Sequence, residues 1–214
     1  MRRINRRFIH EELYRDLSPI ADKKIVICGC GAIGGNTAVH LAKMGLSNLT
    51  LIDDSVVKEW NLGTQPYRIQ DLGAKKAIVL ANDLYRITES CKAVPITKRL
   101  TEKNAPQLLG NADVVLDSFD NHKSRAAVQR TCLELKLSCL HAGMSGEGTG
   151  DLHWEEGYEV PQDVPLEDPC AYPLGLVLVN LTSALATELI VRFLLTGKKE
   201  NYLVLRDALK IAPK

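Results

Sequence analysis

The sequence predicts an α/β fold: a Rossmann-like, mostly parallel sheet with helices on both faces, followed by a C-terminal helix and an edge strand. Three observations predict it. Short runs of β-branched and aliphatic residues alternate with segments of helical periodicity, the pattern of repeated strand and helix units. The first such run ends in Gly29-x-Gly31-x-x-Gly34, glycines placed where a strand must turn sharply into a helix. The 214 residues, 45% hydrophobic and 25% charged, suit one well-buried domain and exclude disordered or low-complexity chains.

In chain order, an amphipathic segment over 8–17 precedes Lys24-Ile-Val-Ile-Cys28, an apolar run expected as a buried parallel strand. The helix after it has Ile33, Ala38, Leu41 and Met44 on its apolar face and is closed by Gly45. Leu49-Thr-Leu-Ile52 is the second strand, ending at Asp53. The alternation continues with a helix over 74–85, strands over 93–96 and 113–116, a helix over 123–135 and a strand over 137–141. From Gly143 the character changes. Glycines lead into 154–173, which holds four of the nine prolines and no expected regular element, so it is read as a functional loop. A helix over 180–195, closed by Gly197, and an edge strand over 202–206 complete the chain. The expected organisation of 1–214 is thus one domain: an N-terminal helical arm (1–22), a Rossmann-like core (23–142), a crossover loop (143–173) and the C-terminal helix and strand (174–214).

Composition narrows the partners. Lys and Arg total 27 against 26 Asp and Glu, which argues against holding nucleic acid by bulk charge. The apolar stretch over 174–195 is broken by Asn180, Glu188 and Arg192, as in a core helix rather than a membrane span. Arg2, Arg3, Arg6 and Arg7 have no apolar run behind them, and Glu11, Glu12 and Asp16 follow closely, so no export or transit signal is expected. The six cysteines, Cys28, Cys30, Cys91, Cys132, Cys139 and Cys170, read as reduced thiols of a cytoplasmic protein. None forms a Cys-x-x-Cys pair, so no zinc site of paired ligands is expected. Between 137 and 191 there is no Lys or Arg but nine acids: a solvated acidic loop, or on a sharper reading a docking face for a basic partner.

The glycine fingerprint lies between an expected strand and helix, the context in which backbone N–H groups at a helix N-terminus receive phosphate oxygens, so Gly29, Gly31, Ala32, Ile33 and Gly34 are candidate nucleotide-binding residues. Asp53, 22 residues after Gly31, is placed to accept hydrogen bonds from a ribose hydroxyl.

The following segments resemble one family. Asp53-Asp-Ser55-Val-Val-Lys-Glu-Trp-Asn61-Leu-Gly-Thr64-Gln65 is similar to the Asp-x-Asp-x-Val-x-x-x-Asn-Leu-x-Arg-Gln stretch of the ThiF/MoeB/HesA family, the ubiquitin-activating-enzyme-like adenylyltransferases. Asn5-Arg6, Gly73-x-x-Lys76 and Asp117-Ser-Phe-Asp120-Asn121-x-x-x-Arg125 match further family motifs in the same order, and the likeness extends through the helix with Glu188 to the chain's end. The resemblance implies ATP-dependent adenylation of the C-terminal carboxylate of a ubiquitin-like (β-grasp) carrier protein, with pyrophosphate released. Lys76 would then meet the phosphates, Asp120 would hold Mg²⁺ as the metal ligand, and Asn61, Gln65 and Asn121 would add to the nucleotide site. Arg6 would reach the partner chain's ATP, which requires a dimer, a homodimer being the expected form. The lack of Cys-x-x-Cys places the chain with the zinc-free members. Cys170 stands where thioester- or persulfide-forming relatives carry a reactive thiol, although its acidic neighbours would raise its pKa.

Two positions depart from the family. Thr64 replaces an arginine and Ser55 an aspartate. Losing a phosphate-clamp arginine costs on the order of 2–4 kcal/mol of charge stabilisation unless replaced, and Arg68, four residues on, is the nearest replacement. These departures motivate a non-catalytic subunit of a heterodimeric activating enzyme as an alternative. A NAD-dependent oxidoreductase, a further alternative, shares the glycines and Asp53 but leaves the Asn61 and Lys76 segments unexplained.

Overall fold

A computed structural model describes residues 6–163, 172–207 and 210–213, the last four by backbone alone. Five parallel strands, β1 (Ile25–Cys28), β2 (Leu49–Ile52), β3 (Val94–Ile96), β4 (Val114–Asp117) and β5 (Cys139–Met144), are extended by three antiparallel ones, β6 (Thr149–Trp154), β7 (Tyr202–Leu205) and β8 (Lys210–Pro213). The sheet order is β3-β2-β1-β4-β5-β6-β7-β8. The helices are α1 (Ile9–Tyr14), α2 (Ala32–Lys43), α3 (Lys76–Thr88), α4 (Ala105–Leu109), α5 (His122–Leu135) and α6 (Leu176–Thr196).

The period of two in the strands builds two cores. Ile25 and Ile27 of β1, with Leu49, Leu51, Val114 and Leu116, pack against Leu41 of α2, Leu80 and Leu84 of α3 and Ile190 of α6. Val26, Cys28, Ile52, Val115 and Cys139 point to the other face, against Leu109 of α4 and Val128 and Cys132 of α5. β1, β2 and β4 are buried at every position, as strands covered on both faces must be.

Three elements differ from the sequence expectation. The stretch expected as an uninterrupted crossover loop contains β6, in which Gly150, Leu152 and Trp154 are buried and alternate with half-buried Thr149, Asp151 and His153. Its apolar set is one leucine and one tryptophan, too sparse beside the glycines to register as a strand. The strand at 202–205 lies one position inside the sheet, because β8 pairs with it and takes the edge. The short α4 was also not foreseen; it starts with proline in its first turn.

Helix α6 has a mean hydropathy of 1.6 over its most apolar window and, among the described residues, is the one helix long and apolar enough to cross a membrane. Here it is a core element. Leu178, Ala186, Leu189 and Ile190 are buried against α2 and the sheet, and Glu188 ion-pairs with Arg15 of the N-terminal arm at 2.7 Å. Two acids of the lysine-free stretch also fasten the fold. Glu155 ion-pairs with Lys199 and accepts from Cys139 N, and Asp163 accepts from His122 N at 2.6 Å.

Candidate functional site

β1 and β4 are neighbours whose onward connections leave in opposite directions, the switch point at which open α/β sheets receive ligands. The glycine loop lies there. Gly29 adopts φ +92°, and its carbonyl and that of Cys28 accept from Ser118 Oγ at 3.1 and 2.9 Å, which ties the loop to the end of β4. A Cβ at Gly34 would lie 2.0 Å from Gly29 O and 2.4 Å from Ser118 Oγ, so α2 can approach the strand this closely only with glycine. At Gly31 a Cβ would meet nothing within 4 Å: the backbone just before α2 faces open space. Gly34→Ala is expected to destabilise the fold by about 3 kcal/mol. An unchanged urea midpoint would contradict that close packing.

Asp53, 8% exposed at the end of β2, grips this loop. One carboxylate oxygen accepts from Cys30 N at 2.8 Å; the other accepts from Ser55 N at 2.8 Å and from Ser55 Oγ. The departure at Ser55 therefore has a local use, since a hydroxyl donates to Asp53 where a second carboxylate would repel it. Three of roughly four acceptor positions on Asp53 are filled, leaving one for a ligand hydroxyl. Tyr67, nearly buried, donates to Cys30 O at 2.6 Å, and burial first, then Cys30 and Asp53, hold its hydroxyl protonated. Asn36 Nδ2 of α2 bonds Thr64 O at 2.9 Å, bringing the Asn61 to Gln65 segment against the start of α2.

Lys76, at the start of α3, is 8% exposed, and its ammonium makes no hydrogen bond or ion pair among the described residues. It lies close enough to Cys30 for its charge to oppose the upward push that burial and Asp53 give that thiol. A lysine held in a largely buried position with no counter-ion leaves its charge available to a bound anion. Gln65 Oε1 is also buried, without a hydrogen-bond partner among the described residues. Asn61 Oδ1 accepts from Lys58 N at 2.9 Å, so its oxygen shapes the loop.

Across the loop, Asp120 is exposed and accepts a 3.5 Å hydrogen bond from Asn121 Nδ2. Asn121 Oδ1 caps α5 by accepting from Ser124 N at 2.9 Å, which commits that oxygen to the helix. Ala32 and Ile33 form the first turn of α2; the Ile33 side chain is in the core, so only its backbone is offered to a ligand.

Arg68 is corrected as the replacement cation, because its guanidinium bonds Asp83 of α3 at 2.6 Å. Arg6 is not brought to its own chain's site. Phe8 packs where a Cβ on Gly45 would be, 3.0 Å from its ring, and Arg7 bonds Thr88 O and Glu89, so the arm sits at the far end of α2. That end lies about 18 Å along the helix axis from the glycine loop. Cys170 lies outside the described residues, as does Asn5. No group of three His, Cys, Asp or Glu side chains is placed to hold a metal among the described residues.

No role was expected for Tyr67 and Ser118, which shape the loop, or for Asp117, Arg125, His141 and Tyr158, which lie beneath the Asp120 turn. Asp117 and Arg125 stood in the matched motif and could have been found there. His141 and Tyr158 carry no sequence signal, because only the pairing of β4 with β5 and the return of the chain after β6 bring them together.

The profile of the ThiF family matches residues 2–205. The chain belongs to the ThiF family. It is 30% identical over 144 residues to the sulfur carrier protein ThiS adenylyltransferase of Escherichia coli strain K12, covering 64% of this chain and 57% of that protein. It is 25% identical over 211 residues to a probable adenylyltransferase/sulfurtransferase MoeZ of Mycobacterium tuberculosis, covering 90% of this chain and 53% of that protein. The chain therefore spans little more than half the length of either relative. The crystal structure of E. coli MccB with ATP superposes with a TM-score of 0.81 at 19% identity, over 98% of this chain and 71% of that one, a likeness of fold.

Proposed function

We propose that this ThiF-family chain is an ATP-dependent adenylyltransferase that activates the C-terminal carboxylate of a ubiquitin-like β-grasp carrier protein. The observation that carries the reading is Lys76: a largely buried lysine whose ammonium has no partner among the described residues, beside a glycine loop open at Gly31 and the N-terminus of α2. Each of these features receives a phosphate. Relatives named for ThiS adenylylation and for SAMP activation support a small carrier as the substrate.

In the reaction, a carrier carboxylate oxygen bonds the α-phosphorus of ATP while the bond from that phosphorus to the bridging oxygen breaks. Pyrophosphate leaves with the electron pair, and the carrier is left as an acyl adenylate. The chain positions the reactants and neutralises charge. Asp53 and Ser118 fix the loop that cradles the phosphates, Asp53 keeps one acceptor position for the ribose, and Lys76 counters the charge that grows on pyrophosphate. Mg²⁺ would supply further charge neutralisation, held by Asp120 and by phosphate oxygens; a site with one free carboxylate suits an ion that keeps several waters and shares its ligands with the nucleotide. With Arg68 paired to Asp83, Lys76 carries the cationic role alone within its own chain's half of the site, and Arg6 of a second copy would complete it. The active form is accordingly a homodimer, acting in the cytoplasm without zinc, membrane or nucleic acid. Passage of the acyl group to Cys170 is part of the same proposal.

Thermal-shift titration separates this from a nicotinamide enzyme. A ligand at one hundred times its Kd stabilises by about 2.7 kcal/mol, so Mg-ATP should raise Tm by several degrees and NAD should not. A shift with NAD alone would overturn the adenylation reading.

A further inference from the structure

Below the Asp120 turn lies a closed polar cluster that touches no part of the expected phosphate path. Asp117, fully buried at the end of β4, accepts from Phe119 N at 3.2 Å through Oδ1 and faces His141 Nδ1 at 2.8 Å through Oδ2. Arg125 of α5, 7% exposed, donates through Nε to Phe119 O at 2.6 Å, through Nη2 to Ala142 O at 2.8 Å and through Nη1 to Tyr158 Oη at 2.6 Å. Nη1 also lies 3.9 Å from Asp117. The Tyr158 ring stacks on the imidazole of His141 at 3.8 Å and 9°, and Gln129 Nε2 holds the Tyr158 carbonyl at 2.6 Å.

The consequence falls on one residue. Asp117 grips the N–H of Phe119 and Arg125 grips its carbonyl, so both ends of the link into Asp120 are fixed, while the Asp120 carboxylate, among the described residues, takes one long hydrogen bond from Asn121 and feels the charge of Arg125. The backbone that carries that carboxylate is therefore set from below. The guanidinium has all three nitrogens engaged inside the protein, which leaves it no fork for a phosphate.

We propose that Arg125, braced by Asp117, His141 and Tyr158, is a positioning residue that aims Asp120 at the nucleotide-bound Mg²⁺. This inference rests on the adenylation reading. It also gives the acidic segment after β6 a part in the site, since Tyr158 supplies one wall of the brace. Residues that orient a metal ligand in this way change metal affinity by 10- to 100-fold when removed.

The test uses the full chain, a non-hydrolysable ATP analogue with an α,β-methylene bridge, and calorimetry with and without Mg²⁺. Arg125→Lys keeps the charge and loses the fork; Tyr158→Phe removes a single hydroxyl and keeps the stacked ring. Both should weaken Mg²⁺-dependent analogue binding, by about tenfold or more for Arg125→Lys and by less for Tyr158→Phe, with Mg²⁺-independent binding unchanged. In an Asp120→Ala background neither should alter Mg²⁺ dependence further. Equal losses with and without the metal, or no loss in the folded Tyr158→Phe protein, would overturn the inference while leaving adenylation intact. Failure of the wild-type chain to bind the analogue at all would overturn the adenylation reading and this inference with it.

Discussion

Lys76→Met is expected to abolish ATP–pyrophosphate exchange while raising the melting temperature. The two effects have one cause. The Lys76 side chain is largely buried and its ammonium has no partner among the described residues, so the unliganded protein bears the penalty of an unneutralised charge there. A thioether of similar length removes that penalty and keeps the packing at the start of α3, so stability should rise by about 1 kcal/mol. Without the ammonium the pyrophosphate charge loses its nearest positive group, and removal of one such stabilising group lowers turnover by about 10²- to 10³-fold. Thr64 makes this substitution more damaging than it would be beside an arginine clamp, and Arg68 is tied to Asp83. A Lys76→Met protein that loses stability, or that keeps full exchange, would show that the ammonium has a structural partner instead.

Asp120→Ala should also lose exchange by about 10²-fold or more, because the carboxylate that would hold Mg²⁺ against the phosphates is gone. Its fold should be intact, since Asp120 is exposed and takes part in no core contact. Arg6→Ala should be equally impaired for a different reason: its arm docks at the far end of α2, away from its own chain's loop, and in the proposed homodimer its guanidinium would serve the other copy. Mixing the two inactive proteins should then recover activity. In a mixed dimer one of the two sites pairs an intact Asp120 with an intact Arg6, so random reassortment restores up to about a quarter of wild-type exchange. Recovery in the mixture requires sites shared between chains; no recovery would place both residues in one chain's site or remove Arg6 from it altogether.

Much of this was legible in the residues. The glycine spacing after an apolar run located the loop, and Asp53 at the end of the next strand located its grip, because backbone conformation and the 22-residue spacing from Gly31 to Asp53 leave direct marks in sequence. β6 was hidden because its buried set consists of a glycine, a leucine and a tryptophan, which alternate without forming an apolar run. Asp53 was expected to face a ribose, yet most of its hydrogen bonds hold Cys30 and Ser55; a motif gives a carboxylate's place and leaves open which partners reach it first. The cluster beneath Asp120 is a product of topology. Asp117 and His141 are cross-strand partners, and Tyr158 returns from beyond β6 to cover them, a meeting that no local pattern encodes.

Pyrophosphate exchange is the direct measure of adenylyl transfer. The purified chain is incubated with Mg-ATP, labelled pyrophosphate and a β-grasp carrier ending in Gly-Gly. Carrier-dependent incorporation of label into ATP is expected, lost on removal of the carrier's terminal carboxylate. Exchange that stays at background with every such carrier, from a folded protein that binds Mg-ATP, would contradict it.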